Sequence, residues 1–452
     1  MQKTAKPRET LSIADATAII VGMMVGIGIF KTPSIVAASA GSEGMLILFW
    51  LAGGIASFIG ALCYAELTSA YPHAGGDYHY LSKAFGPTPA FFYGWGRLSV
   101  IQTGSIVMVA FIIGDYASEI LFLGPYSTSL YAAAAVVALT ALNVAGLRQS
   151  KVTQKALIGL IVLGLAGIAV CGFWLGEPRS AATAGPLIPE SAALGTAMIF
   201  VLLTYGGWNE AAFLSAEVKS PRKNMVKVLL LSIAVVTVIY AVVNLALLNG
   251  LGLSDMASSS AVMADLMRRA VGDGGARFVS FLILLACLST MNAAVITGAR
   301  TAYAVGRDHP VLGFLGRWHG RKHTPVNALL FQGGAALLLV ALGASTRSGF
   351  VSMVEYTAPV FWLFFLMVGL SVFVLRVLRS PGETAFVVPF FPVTPAVFCL
   401  ICLYMLYSAL IYTGLGAIIG LGVLASGIPL LILNQKRRAI GHAEDETQKK
   451  EP

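Results

Sequence analysis

Residues 19–30 read IIVGMMVGIGIF, and Lys31, Thr32 and Pro33 follow directly. A run this apolar predicts a membrane helix, but its glycines and the proline behind it weaken the helical hydrogen-bond ladder. We therefore expect the helix to be interrupted near Gly26 and Gly28. An interruption leaves backbone N–H groups at the start of the second half-helix, where the positive dipole end also attracts an anion.

The residues alone leave two interpretations of this glycine pattern open. Gly26 and Gly28 either open the helix to bind a ligand or let a neighbouring helix approach closely, as small residues do in membranes. The stretch lacks the third glycine, the preceding strand and the downstream acid of a dinucleotide-binding motif. A nucleotide site is therefore not indicated.

The composition places the chain in a lipid bilayer. Of its 452 residues 57% are hydrophobic and 11% are charged, and its mean hydropathy is +0.81, which is far from the values of water-soluble domains. Apolar segments that approach or exceed the ~20 residues of a spanning helix occur repeatedly. The twelve segments are residues 11–40, 45–70, 89–121, 129–147, 153–175, 191–216, 226–250, 276–305, 326–344, 350–376, 392–411 and 414–434.

The positive charges predict the orientation in the membrane. Most Lys and Arg residues between the segments lie on the side of the N-terminus, so we expect both termini to be cytoplasmic. The polar stretch 1–10 lacks the features of a cleavable signal. We expect a multi-pass protein of the cell (inner) membrane with cytoplasmic tails at residues 1–10 and 435–452. The net charge of +9 then reflects topology, and no nucleic-acid partner is expected.

Segment six carries a second glycine pair inside an apolar run. Residues 200–210 read FVLLTYGGWNE, which predicts a break at Gly206 and Gly207. Glu210 is a carboxylate at membrane depth, so it either takes part in function or bonds to a helix end. Breaks at corresponding places in two halves of a chain are typical of inverted-repeat transporters.

Other polar residues also lie within or beside the apolar segments. Gln102 bonds to a neighbouring helix or lines a cavity, whereas Arg97, near a helix end, is expected to reach the headgroups as an anchor. Ser289 and Thr290 either bond to the backbone one turn earlier or form an ion site. The charges of the loop near residues 71–87 are ordinary for a loop.

Cysteine and histidine placement argues against redox or metal chemistry. The five cysteines lie inside apolar segments, and the six histidines lie in loops or the tail. This pattern predicts no disulfide, no metal and no cofactor, and it supplies no set of catalytic side chains. We therefore do not expect an enzyme.

Together these motifs resemble the amino acid–polyamine–organocation superfamily, and among its members the bacterial relatives of the L-type amino acid transporters. The resemblance extends over residues 10–435. It rests on the sequences GIGIF at 26–30, YAEL at 64–67, GWN at 207–209 and PRKN at 221–224, and on Pro72, Gly75, Gly76, Tyr78, Phe85, Gly86, Glu217, Asn292, Arg300 and Arg307.

The resemblance implies an all-α membrane protein with twelve transmembrane helices. A five-plus-five inverted repeat with broken helices 1 and 6 would form the transport core at residues 11–376, and two C-terminal helices would follow at 392–434. The protein would be a permease that binds one amino acid at the membrane midplane and carries it by alternating access.

The resemblance also implies the site. The α-carboxylate would bind the amides of Ile27 and Gly28, and the ammonium would bind carbonyls near Met23 and from Leu203 to Gly206. The implied substrate-binding residues are Met23, Gly26, Ile27, Gly28, Leu203, Tyr205, Gly206 and Gly207. The implied gating or supporting residues are Trp208, Asn209, Glu210 and Gln102.

Three residues depart from the family pattern. Ile27 replaces a serine, which keeps the amide and removes a hydroxyl. Leu203 stands where many relatives carry the aromatic residue that covers the substrate, a role that Tyr205 or Phe200 would then take. Lys31 replaces an apolar residue, and it either extends to the headgroups, as we expect, or favours acidic substrates.

The sequence motifs leave the identity of the coupling ion open. Many relatives have a lysine in segment five that fills the sodium position, and Ile161 occupies that place here. We expect sodium-independent transport, as exchange or proton symport. The alternatives are a sodium symporter that uses Ser289 and Thr290, and a sensor that binds amino acids without transporting them. The loop 123–128 lacks the cysteine that links eukaryotic relatives to a heavy chain, so no such partner is expected.

Overall fold

The computed structural model describes residues 11–26, 28–73, 75–146, 151–175, 191–319, 324–346, 348–378 and 386–435. Within these ranges the regular secondary structure is helical, and the only β-bridges are isolated pairs. The all-α prediction is confirmed.

The described ranges contain helices of very different length. In chain order they are α1 (Ile13–Met24), α2 (Gly28–Ala40), α3 (Glu43–Ala70), α4 (Gly76–Phe85), α5 (Pro87–Gly96), α6 (Gln102–Ile120), α7 (Ser127–Val144), α8 (Lys151–Trp174), α9 (Ser191–Thr204), α10 (Ala211–Leu214), α11 (Pro221–Leu251), α12 (Leu253–Ser258), α13 (Val262–Val271), α14 (Asp273–Asp308), α15 (Val326–Ala344), α16 (Gly349–Val377), α17 (Val393–Ile411) and α18 (Leu415–Ala425). A π-helical turn, Arg97–Ile101, joins α5 to α6, and 3₁₀ turns cover Trp208–Glu210, Ser215–Glu217 and Pro310–Leu312.

Many of these helices are long and apolar enough to cross a bilayer. Among the described residues, nine helical stretches pass this test alone, and counting each bent pair as one span gives eleven. Helix α8 contributes a shorter apolar stretch, Gly159–Trp174. The protein is therefore a multi-pass membrane protein, and the number twelve stays a prediction.

Both expected interruptions are present. Helix α1 ends at Met24 and α2 begins at Gly28, with an angle of 49° between them. Helix α9 ends at Thr204, and the chain becomes helical again at Trp208 after a bend of 42°. Gly207 has a φ of 110°, a conformation that a β-carbon makes costly. This explains why the second break falls at the glycine pair.

Small residues bring neighbouring helices close to the interrupted ones. A Cβ at Gly53 of α3 would lie 2.3 Å from a methyl of Val201, and one at Gly54 would lie 2.7 Å from the Thr237 hydroxyl. Membrane helices associate through such close packing because lipid gives them little hydrophobic driving force. These glycines therefore let α3 pack closely against α9 and α11.

The start of α1 is tied to the end of the second interrupted helix. The Leu11 N–H donates to the Glu217 carbonyl and the Lys219 N–H donates to the Leu11 carbonyl, both at 2.9 Å. Ser12 and Asp15 then form a capping box that begins α1. These bonds hold the start of the first interrupted helix against the end of the second.

Candidate functional site

The two interruptions contact each other through glycines. A Cβ at Gly28 would lie 2.7 Å from Thr204 Oγ1 and 2.9 Å from Thr204 Cα. A Cβ at Gly207 would lie 3.1 Å from the Met23 carbonyl oxygen. Glycine at both positions therefore allows the backbones to cross at a distance that larger residues would prevent. The glycines serve close approach and also open the helices.

Tyr240 of α11 holds together the ends of α1 and α9, which are the first halves of the two interrupted helices. Its hydroxyl oxygen lies 2.6 Å from the Met24 carbonyl oxygen and 2.9 Å from that of Thr204. Met24 and Thr204 are the last residues of α1 and α9, so the two carbonyls share the single hydroxyl proton. Sequence reasoning missed Tyr240 because it lies in an apolar segment without a motif around it.

A cavity of about 320 Å³ lies against this crossing. Its volume is in the range of small-molecule sites. The cavity brings together many of the residues predicted for the site. Those on its wall are Met23, Gly26, Gly28, Gln102, Leu203, Gly206, Gly207, Asn209, Glu210 and Thr290.

The remaining predicted residues lie elsewhere. Tyr205 is buried behind the cavity, where its hydroxyl donates to a carbonyl of α3 at 2.9 Å. Trp208 packs edge-on against Tyr64 with ring centroids 5.0 Å apart. Ser289 is half-buried in α14 and does not line the cavity. Ile27 lies outside the described residues.

Sequence reasoning missed an aromatic wall on α16. The wall consists of Phe350, Phe361, Trp362, Phe364 and Phe365. Phe361 and Phe365 stack with centroids 4.2 Å apart. Phe200, expected as a substitute for the missing aromatic cover, stacks on Phe350 from outside the lining. One side of the cavity is therefore apolar.

An ion pair forms the polar end of the cavity. Arg97 Nη2 donates to both carboxylate oxygens of Glu210, at 3.0 and 2.9 Å, and Nη1 donates to the Tyr93 hydroxyl at 3.2 Å. The Arg97 side chain is only 11% exposed. The prediction that Arg97 anchors the headgroups is therefore wrong. Arg97 and Glu210 therefore neutralise each other, as charges away from water require.

The π-helical turn Arg97–Ile101 places this arginine. Such turns are rare and frequently occur at functional sites. Arg97 and Ile101 border the cavity, and Gln102 and Ser105 continue the same wall. Gln102 also donates to the Ala294 carbonyl at 2.9 Å, so it both bonds to a neighbouring helix and lines the cavity.

Asp77, on the short helix α4 between two spans, also borders the polar end. Its Oδ2 accepts hydrogen bonds from the hydroxyls of Tyr64 and Tyr93, at 3.1 and 3.2 Å. Burial raises the pKa of Asp77 to about 7, although the nearby Arg97 acts to lower it. The expectation that the charges of this loop are ordinary is wrong for Asp77.

Comparison with known proteins decides the family. A family model described as amino acid permease matches residues 11–430. The chain belongs to the amino acid permease family. The resemblance seen in the motifs is thus confirmed.

Several curated transporters are similar to this permease over most of its length. The b(0,+)-type amino acid transporter 1 of Mus musculus is 27% identical, over 90% of this chain and 84% of the relative. The large neutral amino acids transporter small subunit 2 of Mus musculus is 28% identical, over 94% and 81%. The cystine/glutamate transporter of Pongo abelii is 27% identical, over 96% and 86%. These relatives are transporters and not enzymes.

The permease has Thr290 beside the crossing, on α14. Its hydroxyl donates to the Ala286 carbonyl at 3.1 Å. This is the backbone bond one turn earlier that the sequence offered as the alternative to an ion site. The residue also lines the cavity. The local geometry therefore explains the hydroxyl without an ion.

A second buried ion pair of the permease lies about 27 Å from Arg97 along the α5–α6 axis, at 1.5 Å per residue. Lys31 Nζ lies 2.7 Å from Asp115 Oδ2 and donates to the Ser260 carbonyl at 2.7 Å. Beside it, the Tyr116 hydroxyl donates to the Phe30 carbonyl at 2.8 Å. The prediction that Lys31 extends to the headgroups is wrong. Lys31 instead ties α2 to α6 and to the loop before α13.

Proposed function

We propose that this permease is a secondary active transporter that carries amino acids across the cytoplasmic membrane by alternating access. It works without sodium, as an exchanger or a proton symporter. One observation carries the proposal: a cavity of small-molecule size lies at the crossing of two interrupted helices in a member of an amino acid permease family.

The backbone at the crossing suits both charged ends of an amino acid. Helix α2 begins at Gly28, so its first amides have no acceptor inside the helix and attract an anion. We assign the substrate carboxylate to the amides of Ile27 and Gly28. We assign the ammonium to the carbonyl ends of α1 and α9, near Met23 and Leu203, because helix C-termini attract cations.

The side walls favour substrates with apolar or aromatic side chains. The aromatic wall on α16 offers ring faces that such a side chain would pack against. Arg97 is paired with Glu210, and Lys31 is paired with Asp115. Neither cation is therefore offered to an acidic side chain, which argues against the idea that Lys31 selects acidic substrates.

The architecture in this proposal is the twelve-helix one. The second bent pair follows the first after the spans Glu43–Ala70, Pro87–Ile120 and Ser127–Val144 and the shorter stretch Gly159–Trp174, and this order supports a five-plus-five inverted repeat within residues 11–376. Two further helices would follow within 392–434. The excess of Lys and Arg on one side supports cytoplasmic termini in the cell membrane.

We also propose that the permease works without a disulfide-linked heavy chain. One relative, the large neutral amino acids transporter small subunit 2, is named as a subunit. The loop 123–128 of this chain contains no cysteine for a disulfide to a partner.

Counterflow into liposomes tests the proposal. The purified protein is reconstituted into vesicles loaded with neutral amino acids, and labelled phenylalanine is added outside in sodium or in choline. Loaded vesicles should take up the label faster than vesicles without amino acid, and equally in both salts. Binding without accumulation would indicate the sensor. Uptake that requires sodium would indicate the sodium symporter, with Thr290 as the first ligand to test.

A further inference from the structure

We infer that Asp77 is the proton-binding group of this permease, loading from the cavity and releasing its proton when the cavity changes sides. This inference rests on the proposed transport function and names its coupling ion.

The first observation is that the Asp77 carboxylate has no cation of its own within the described part of the chain. At the polar end of the cavity, Arg97 gives both hydrogen bonds of its Nη2 to Glu210. Among the side chains that the structure describes, Asp77 accepts hydrogen bonds only from the neutral hydroxyls of Tyr64 and Tyr93. A buried carboxylate without its own cation is costly to keep ionised, and a proton removes that cost.

The second observation is the position of the other oxygen. Oδ1 of Asp77 is buried and has no hydrogen-bond partner among the residues that the structure describes. The side chain nevertheless borders the cavity. A proton arriving from cavity water can bind Oδ1 while Oδ2 continues to accept from Tyr64 and Tyr93, so protonation breaks no existing bond.

The groups that surround Asp77 place the titration of its carboxyl group near neutral pH. The titratable and charged groups that face Asp77 are Tyr64 on α3, Tyr80 on α4, Tyr93 on α5, Arg97 on the π-helical turn and Glu210 on the 3₁₀ turn. Helix α10 presents Phe213 to the cluster and α16 presents Phe364. Burial raises the pKa of Asp77 to about 7, Arg97 opposes this shift and Glu210 adds to it.

The third observation connects Asp77 to the second interrupted helix, which runs from α9 through α10. A Cβ at Gly76 would lie 2.8 Å from the Phe213 ring, and that ring lies 4.5 Å from the Arg97 guanidinium. Phe213 belongs to the second half of this helix. A rotation of that half would therefore change the distance between Arg97 and Asp77. The affinity of Asp77 for a proton would change with it.

Proton-driven uptake by the full-length protein in liposomes tests the inference. An inward proton gradient of about one pH unit should drive about tenfold accumulation for one proton per substrate. Asp77→Asn should reduce accumulation to the level without a gradient, and its counterflow should lack the pH dependence around pH 7 that we expect of the wild type. Asp77→Glu should retain gradient-driven uptake with a shifted midpoint. Asp255→Asn, the same change at an exposed aspartate, should match the wild type.

Each other outcome has a distinct meaning. Counterflow without gradient-driven uptake in the wild type would overturn the proton site and leave an exchanger. Gradient-driven uptake by Asp77→Asn would also overturn it. If Asp77→Asn is inactive, an unchanged pH midpoint in Asp77→Glu would overturn the inference. No counterflow by the wild type would instead contradict the proposed transport function.

Discussion

Gly28 and Thr204 approach so closely that a Cβ on the glycine would lie 2.9 Å from the Thr204 Cα. Gly28 is the first residue of α2 and Thr204 is the last residue of α9. The start of one half-helix therefore rests against the end of another. This contact brings an amide-rich helix end and a carbonyl-rich helix end to the same cavity.

Gly28→Ala should separate the two half-helices. Its methyl group would meet the Thr204 backbone, which cannot move aside as a flexible side chain does. We expect substrate affinity to fall at least about tenfold, which corresponds to about 1.4 kcal/mol. The measurement is the concentration dependence of counterflow. Gly44→Ala is the matched control, since nothing lies within 4 Å of a Cβ there.

Gly26→Ala should act on the substrate and not on the packing. A Cβ at Gly26 would lie 3.4 Å from the Met23 carbonyl oxygen, an ordinary contact, and Gly26 lines the cavity. We expect normal thermal stability in detergent with a raised KM for transport. Unchanged KM in a well-folded Gly26→Ala protein would place the substrate elsewhere.

Breaking the Lys31–Asp115 pair should destabilise the protein. The two side chains are only 11% and 15% exposed, so removing one leaves a buried charge without its partner. Lys31→Met and Asp115→Leu should each cost on the order of 3 kcal/mol of unfolding free energy. The double variant should recover most of this loss in a double-mutant cycle. Additive losses would show that the pair is not coupled.

Stability should depend on pH through Asp77. Because burial raises the pKa of Asp77 from 3.8 to about 7, the folded protein binds more protons than the unfolded chain between these values. Stability due to this group therefore falls as the pH rises through that window. Asp77→Asn should be the more stable protein above pH 7 and lose its advantage towards pH 3.8. Parallel unfolding curves at all pH values would contradict a raised pKa.

Sequence patterns predicted the interruptions because the glycines that open a helix are local features. They did not predict the partners of Arg97 and Lys31. Arg97 pairs with Glu210, which is 113 positions away, and Lys31 pairs with Asp115 on another helix. Distance along the chain hides such pairs, so both cations resembled ordinary headgroup anchors.

The aromatic wall of α16 could also not be predicted from the sequence. In a segment that is apolar all round, periodicity does not separate rings that face lipid from rings that face a cavity. The direction of Phe361 and Trp362 depends on how α16 packs against the crossing. That packing is a property of the tertiary structure.

The most direct test of the central claim is competition between an amino acid and its methyl ester. The claim is that backbone amides at the start of α2 bind the substrate carboxylate. In counterflow of labelled phenylalanine, unlabelled phenylalanine should compete, and phenylalanine methyl ester should be at least about a hundredfold weaker, a loss of about 2.8 kcal/mol. Equal inhibition by acid and ester would contradict carboxylate binding at the interrupted helix.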